Sequence, residues 1–257
     1  MSEKHYQISP IELVRWAEPL FGKGEATGLP EELLLSYEAA VGSKLPAALR
    51  EYYLACGNAS LNFYQDEMFL PEQDAQPFGS HLTFVHDYIA SDLEWYEEHN
   101  EEDYEELSQL RALPRERWSE VVKDHLVFWS ENQGCWLAAI KKDDLAQPDP
   151  IVYYNAEDDL YLWEPFADSV QSFILCTILE GLELKINKKA YSTTDPESIQ
   201  KTLAESGVDF ERLRQPYPFP GGYFAHTCLD TENNTLYIYS EERENRPAAL
   251  KIFQYGK

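Results

Sequence analysis

Leu126 to Ile140 reads LVFWSENQGCWLAAI, two short runs of aromatic, aliphatic and β-branched residues on either side of the polar, glycine-containing stretch Ser130 to Gly134. A polar turn between two apolar runs of strand length predicts a hairpin, with strands over His125 to Trp129 and Cys135 to Ile140. The pattern repeats downstream in Ile151 to Asn155 and Tyr161 to Glu164. Short strands separated by polar turns favour an antiparallel meander over a parallel sheet. Asp168 to Leu179 (DSVQSFILCTIL) then places Val170, Phe173, Ile174 and Ile178 at helical spacing.

Upstream of the meander the chain reads as helices with clear punctuation. Ser9, Pro10 and Glu12 have capping-box spacing, and Leu13, Trp16, Ala17 and Leu20 follow at helical period, which predicts a helix from about Pro10 to Leu20. Pro30 opens a second helix with the stripe Leu33, Leu34, Tyr37 and Val41 and a stop at Gly42. Pro46 opens a third, with Leu49, Tyr52, Tyr53 and Cys56 on one side and Gly57 as its end. Downstream, Asp195 to Ser206 reads as a helix and Tyr223 to Leu229, Leu236 to Ser240 and Ala249 to Tyr255 as strands. The turn Asp230 to Asn234 makes the first two strands a hairpin. The expected organisation is an N-terminal helix in 1–29, a domain over 30–180, and a C-terminal extension over 181–257 packed on the same body.

The 257 residues suffice for a sizeable core, and the aromatic share of 14% sets the chain apart from disordered acidic chains. Cys56, Cys135, Cys176 and Cys228 form no C-x-x-C pair and sit mostly among apolar neighbours, which favours reduced, buried thiols. No apolar run is long enough for a membrane span, and the N-terminus shows no secretory pattern, so the expected compartment is the cytoplasm. The net charge of −25 is concentrated: residues 61–180 hold 27 acidic and 6 basic side chains, a net −21. Such a field repels nucleic acid and anionic membrane and attracts basic partners.

Residues 87–106 contain ten acids and no Lys or Arg: Asp87, Asp92, Glu94, Glu97, Glu98, Glu101, Glu102, Asp103, Glu105 and Glu106. Ile89, Leu93 and Tyr96, then Tyr104, Leu107 and Leu110, keep helical spacing through this run, so an amphipathic helical hairpin broken near Asn100 is expected. Trp95 falls off the apolar stripe. Charge alone makes the run a solvated helix face.

The order of these elements resembles the SMI1/KNR4 (SUKH) superfamily. LPAALREYYLACGN (Leu45 to Asn58) looks like that family's Leu-Pro, short helix and Gly-Asn sequence. LVFWSENQGCWLAAI resembles its hairpin, and IVYYNAEDDLYLWEPFADSVQSFI (Ile151 to Ile174) its closing strands and final helix. The resemblance implies an α+β domain, an antiparallel sheet flanked by helices, here with a C-terminal α/β extension. In bacteria it most often implies an immunity protein that binds and blocks a cognate toxin, and elsewhere a regulatory or scaffold protein. The family supplies no catalytic set and no cofactor.

With that resemblance a docking surface for a basic toxin domain stands beside the solvated face as a reading of the acidic run. Asp92, Glu94, Glu97, Glu98, Glu101, Glu102, Asp103, Glu105 and Glu106 would steer the partner, and Trp95 would anchor it. Glu131 in the hairpin turn and Glu157, Asp158 and Asp159 in the following loop are further candidate contacts. The last three, with Asp143, Asp144 and Asp149, lack the ligand alternation and sixth-position glycine of a calcium loop. His226 and Cys228 form a lone H-x-C, and His81 and His86 have no second ligand pair, so no zinc site is expected. Phosphate-loop, dinucleotide and nucleophile-elbow motifs are absent. A hydrolase with dispersed carboxylates is the remaining enzymatic alternative.

Overall fold

The computed structural model describes residues 4–21, 24–64, 66–71, 94, 112–114, 125–132, 136–156, 163–185, 191–215, 225–242 and 246–254. The chain divides into two compact units that interleave in sequence. A meander unit comprises Gly28–Asn58 and Asn62–Val170, and a terminal unit comprises Met1–Thr27, Ala59–Leu61 and Gln171–Lys257. The described residues form two antiparallel sheets with helices, an α+β fold.

The meander unit begins with two helices, α2 (Glu31–Val41) and α3 (Ala47–Cys56), which follow α1 (Pro10–Ala17) of the terminal unit. Gly42 ends α2 at φ +73°, a left-handed turn that glycine adopts without strain. The link to α3 is closed by Glu38, which is 7% exposed. Its carboxylate accepts the Leu45 N–H at 3.0 Å and lies 3.3 Å from Arg50 Nε, while Arg50 Nη2 donates to Glu31 at 2.9 Å. Gly28 lies so close to α3 that a Cβ there would sit 1.6 Å from the Leu54 carbonyl oxygen. At the other end of α3, Tyr52 donates to Asn62 Oδ1 at 2.6 Å, and the buried Asn62 amide caps the Cys56 and Gly57 carbonyls.

The expected meander is present with one further strand at its edge: β2 (Glu67–Met68), β3 (His125–Ser130), β4 (Trp136–Lys141), β5 (Val152–Ala156) and β6 (Glu164–Ala167) pair in that order, all antiparallel. Tyr53 of α3 donates its hydroxyl to the Phe69 carbonyl at 2.6 Å, beside β2. The last strand differs from its predicted span, Tyr161 to Glu164, because it starts at Glu164 and runs through Pro165. Proline has no N–H for a ladder, yet β6 is the sheet edge, where one flank needs no partner.

In the terminal unit, β1 (Lys4–Tyr6), β8 (Ala225–Asp230), β9 (Thr235–Ser240), β10 (Ala249–Gln254) and β7 (Tyr191–Thr193) pair side by side. Helix α4 (Val170–Lys185) is followed by α5 (Pro196–Glu205) and the short α6 (Phe210–Leu213). Ile199, Leu203, Val208 and Leu213 pack on Cys228, Tyr237, Tyr239, Leu250 and Ile252 of one sheet face. Lys251 points to the opposite face, where its ammonium meets Glu183 of α4 at 2.6 Å. The capping box expected of Ser9 and Glu12 is present. Glu18, 3% exposed, accepts the N–H groups of Ser60 and Leu61, which ties that short segment to the N-terminal helix.

Cys56, Cys176 and Cys228 are buried and form no disulfide. Among the described residues no helix is long and apolar enough to cross a membrane, and no group of three His, Cys, Asp or Glu side chains is placed to hold a metal ion.

Candidate functional site

Two of the acids expected at an interface lie within the described residues. Glu94 is helical and exposed. Glu131 is half-buried at the end of β3 and donates its backbone N–H to the Trp136 carbonyl at 3.0 Å, which closes the β3–β4 hairpin. Asp92, Trp95, Glu97, Glu98, Glu101, Glu102, Asp103, Glu105, Glu106, Glu157, Asp158 and Asp159 lie outside the described residues, as does the expected acidic helical hairpin.

The meander brings acids to one end of its sheet. Glu67 pairs with Ser130, so Asp66 and Glu67 enter the sheet where Glu131 leaves it. Trp136 pairs with Ala156 and Tyr154 with Glu164, so β5 ends and β6 begins at this same end. Burial pushes the Asp66 carboxyl above the ordinary aspartate range. A hydrogen bond from the Trp129 indole pulls it back, the Glu131 charge pushes it up again, and the Asn132 N–H opposes that.

Beside this end lies a shelf of aromatic rings. Trp136 on β4, Tyr154 on β5 and Phe166 on β6 touch, with Phe166 centred 6.0 Å from Trp136 and 5.1 Å from Tyr154. Phe166 is 42% exposed and the other two are half-buried. Glu164 stands directly across from Tyr154 and is exposed. Sequence reasoning named the acids of this end but not Asp66, Tyr154, Glu164 or Phe166. Glu164, Pro165 and Phe166 are all exposed along β6, so no alternation in the sequence marked this face.

Two other features spend their polar groups internally. A cleft of about 870 Å³ lies over the α2–α3 link, lined by Leu35, Glu38, Lys44, Leu45, Arg50 and Pro148 among others, but Arg50 is already shared between Glu31 and Glu38. In the terminal unit, Arg214 Nε lies 3.1 Å from Glu241, which is 3.6 Å from His226 Nε2. Burial lowers the His226 imidazole below its ordinary range, Glu241 raises it in part, Arg214 lowers it, and a hydrogen bond to Gln215 raises it. Cys228, on the same strand face, is pushed up to about 12 by burial, which keeps it a thiol and a poor metal ligand.

The model of the SMI1/KNR4 family (SUKH-1) matches residues 28–176, more than half of the chain. No curated protein and no solved structure matches it. The matched segment starts at the close-packed Gly28, takes in the α2–α3 pair and the whole β2–β6 meander, and ends within α4. With these elements in this order, the chain belongs to the SMI1/KNR4 family (SUKH-1).

Proposed function

We propose that this protein is a non-catalytic immunity protein, which acts in the cytoplasm by binding a basic toxin domain and covering its active face. The observation that carries this reading is where the charge lies. The family-matched residues 28–176 hold 30 acidic and 8 basic side chains, a net −22 of the total −25. General solubility would spread charge over both units, whereas a binding surface concentrates it on one. Acids at 92–106, with Glu131 and Glu157 to Asp159, steer the partner, and Trp95 anchors it. Charges act mostly on encounter rate and partner choice, and buried aromatics on residence time.

The test is affinity capture from the native strain, identification of the partner by mass, and expression of that partner in a host with and without this protein. The expected partner is basic and stops growth alone, and co-expression restores growth. A captured partner that keeps its activity in the complex would instead favour a regulatory or scaffold role. Turnover abolished by a single carboxylate substitution would revive the hydrolase alternative.

A further inference from the structure

We propose that the shelf of Trp136, Tyr154 and Phe166, with Glu164 at its side, is a guanidinium-binding surface that takes an arginine of the basic protein partner; this rests on the reading just given. Three rings in contact with one of them 42% exposed make a continuous apolar patch at a sheet edge. An exposed edge invites an added strand, but Pro165 in the middle of β6 removes a donor and blunts that use. A partner therefore meets the side chains rather than the backbone.

The chemistry of those side chains selects the occupant. From Asp143 to Glu183 the sequence holds ten acids and no Lys or Arg, so β5 and β6 lie in a stretch without a cation of its own. Glu164 has no ion-pair partner among the described residues. A second copy of a chain with net charge −25 would bring repulsion to this patch. An arginine satisfies both elements at once, because its planar guanidinium stacks on aromatic rings while its edge pairs with a carboxylate. A lysine ammonium, compact and strongly hydrated, matches the carboxylate but gains less from the rings.

Octa-arginine and octa-lysine peptides, equal in charge, are titrated into the full-length protein by calorimetry at low salt. The wild type is expected to bind octa-arginine about fivefold more tightly, the size of one partly exposed ring contact. Phe166→Ala should bring the ratio to about one while octa-lysine affinity falls by less than about twofold, and Phe166→Trp should keep the preference. Glu164→Gln should weaken both peptides. Equal binding of the two peptides by the wild type, or an arginine preference that survives Phe166→Ala, overturns the shelf and leaves the basic-partner reading standing. Failure of both peptides to bind overturns the basic-partner reading itself. Sedimentation provides the remaining arm: wild-type dimers that Phe166→Ala dissociates would assign the shelf to a second copy and overturn the proposal.

Discussion

On the sheet of the terminal unit charged side chains meet charged side chains, and on the sheet of the meander unit they face outward beside half-exposed rings. Lys4 is bonded to Asp230, Lys251 to Glu183, and Arg214 to Glu241, and residues 181–257 are nearly neutral at 10 basic and 11 acidic. In the meander unit, Asp66, Glu67 and Glu131 gather at one sheet end, where the Glu131 charge raises the Asp66 carboxyl instead of balancing it, and Glu164 stands exposed beside Tyr154. A pair satisfied within the fold contributes to stability and has nothing left for a partner. An acid left open contributes little to stability and is available for recognition. The difference teaches that substitutions in the two sheets should separate by readout: unfolding for one, association for the other.

The largest effect is expected at Lys4 and Asp230, which are 11% and 1% exposed. Asp230 also accepts the backbone N–H of Asn233 at 3.1 Å and its side-chain amide at 2.9 Å, so it holds the β8–β9 turn together with β1. Asp230→Ala takes the carboxylate away from a nearly buried ammonium and should cost about 3–5 kcal/mol in urea unfolding. Burial alone would raise the Asp230 carboxyl, but Lys4 and Asn233 outweigh it and bring it below its ordinary 3.8. A depressed carboxyl contributes stability that is present above the unfolded value and lost as pH falls through the folded one. The wild type should therefore lose this contribution below about pH 3.8, and Asp230→Asn should flatten that part of the acid-unfolding curve. A variant that unfolds like the wild type would remove the basis of the comparison.

The second effect belongs to the acidic side. Trp95→Ala should speed dissociation of the captured partner at a cost of about 2 kcal/mol. Reversing Glu97, Glu98, Glu101 and Glu102 to Lys should slow association about tenfold at low salt and flatten its salt dependence, with less change in dissociation. Neither variant should move the urea midpoint. If association is unchanged at low salt, the acids are solvent-facing only, and the contact must be sought at the sheet end of Glu131 and the 157–162 connection.

How much of this was legible in the sequence follows from how local each determinant is. The Ser9–Glu12 capping box, the Gly42 and Gly57 stops, and the β3–β4 hairpin are written within a few residues, and the structure has them. Strands β1 and β7 are three residues each and were not foreseen. Lys4 finds its partner 226 positions away, so nothing beside it in sequence marks it as a strand. Glu38 lies outside the apolar stripe named for α2, yet it is buried because the Leu45 N–H and Arg50 come to it from beyond the link. The aromatic shelf was missed for the same reason: Trp136 and Phe166 become neighbours only when three strands are in register.

The smallest effect should come from Glu241, and it tests the comparison at its weakest point. Arg214 and Glu241 are each about half exposed, at 45% and 46%, so water screens their attraction. Glu241→Gln should change stability at pH 7 by less than about 0.5 kcal/mol, unlike the nearly buried Lys4–Asp230 pair on the same sheet. Its visible consequence lies at His226, whose imidazole burial lowers and Glu241 partly restores. Removing that carboxylate leaves burial and Arg214 in control, so the His226 resonances should titrate at lower pH than in the wild type. A His lowered by folding contributes stability above its unfolded value near 6.5 that is lost as pH falls through the folded value, and the variant should lose more on going to pH 5. A titration that moves upward would mean that Glu241 does not act on His226. A loss at pH 7 as large as that of Asp230→Ala would mean that exposure does not separate the pairs of this sheet, and the division between structural and available charge would have to be drawn elsewhere.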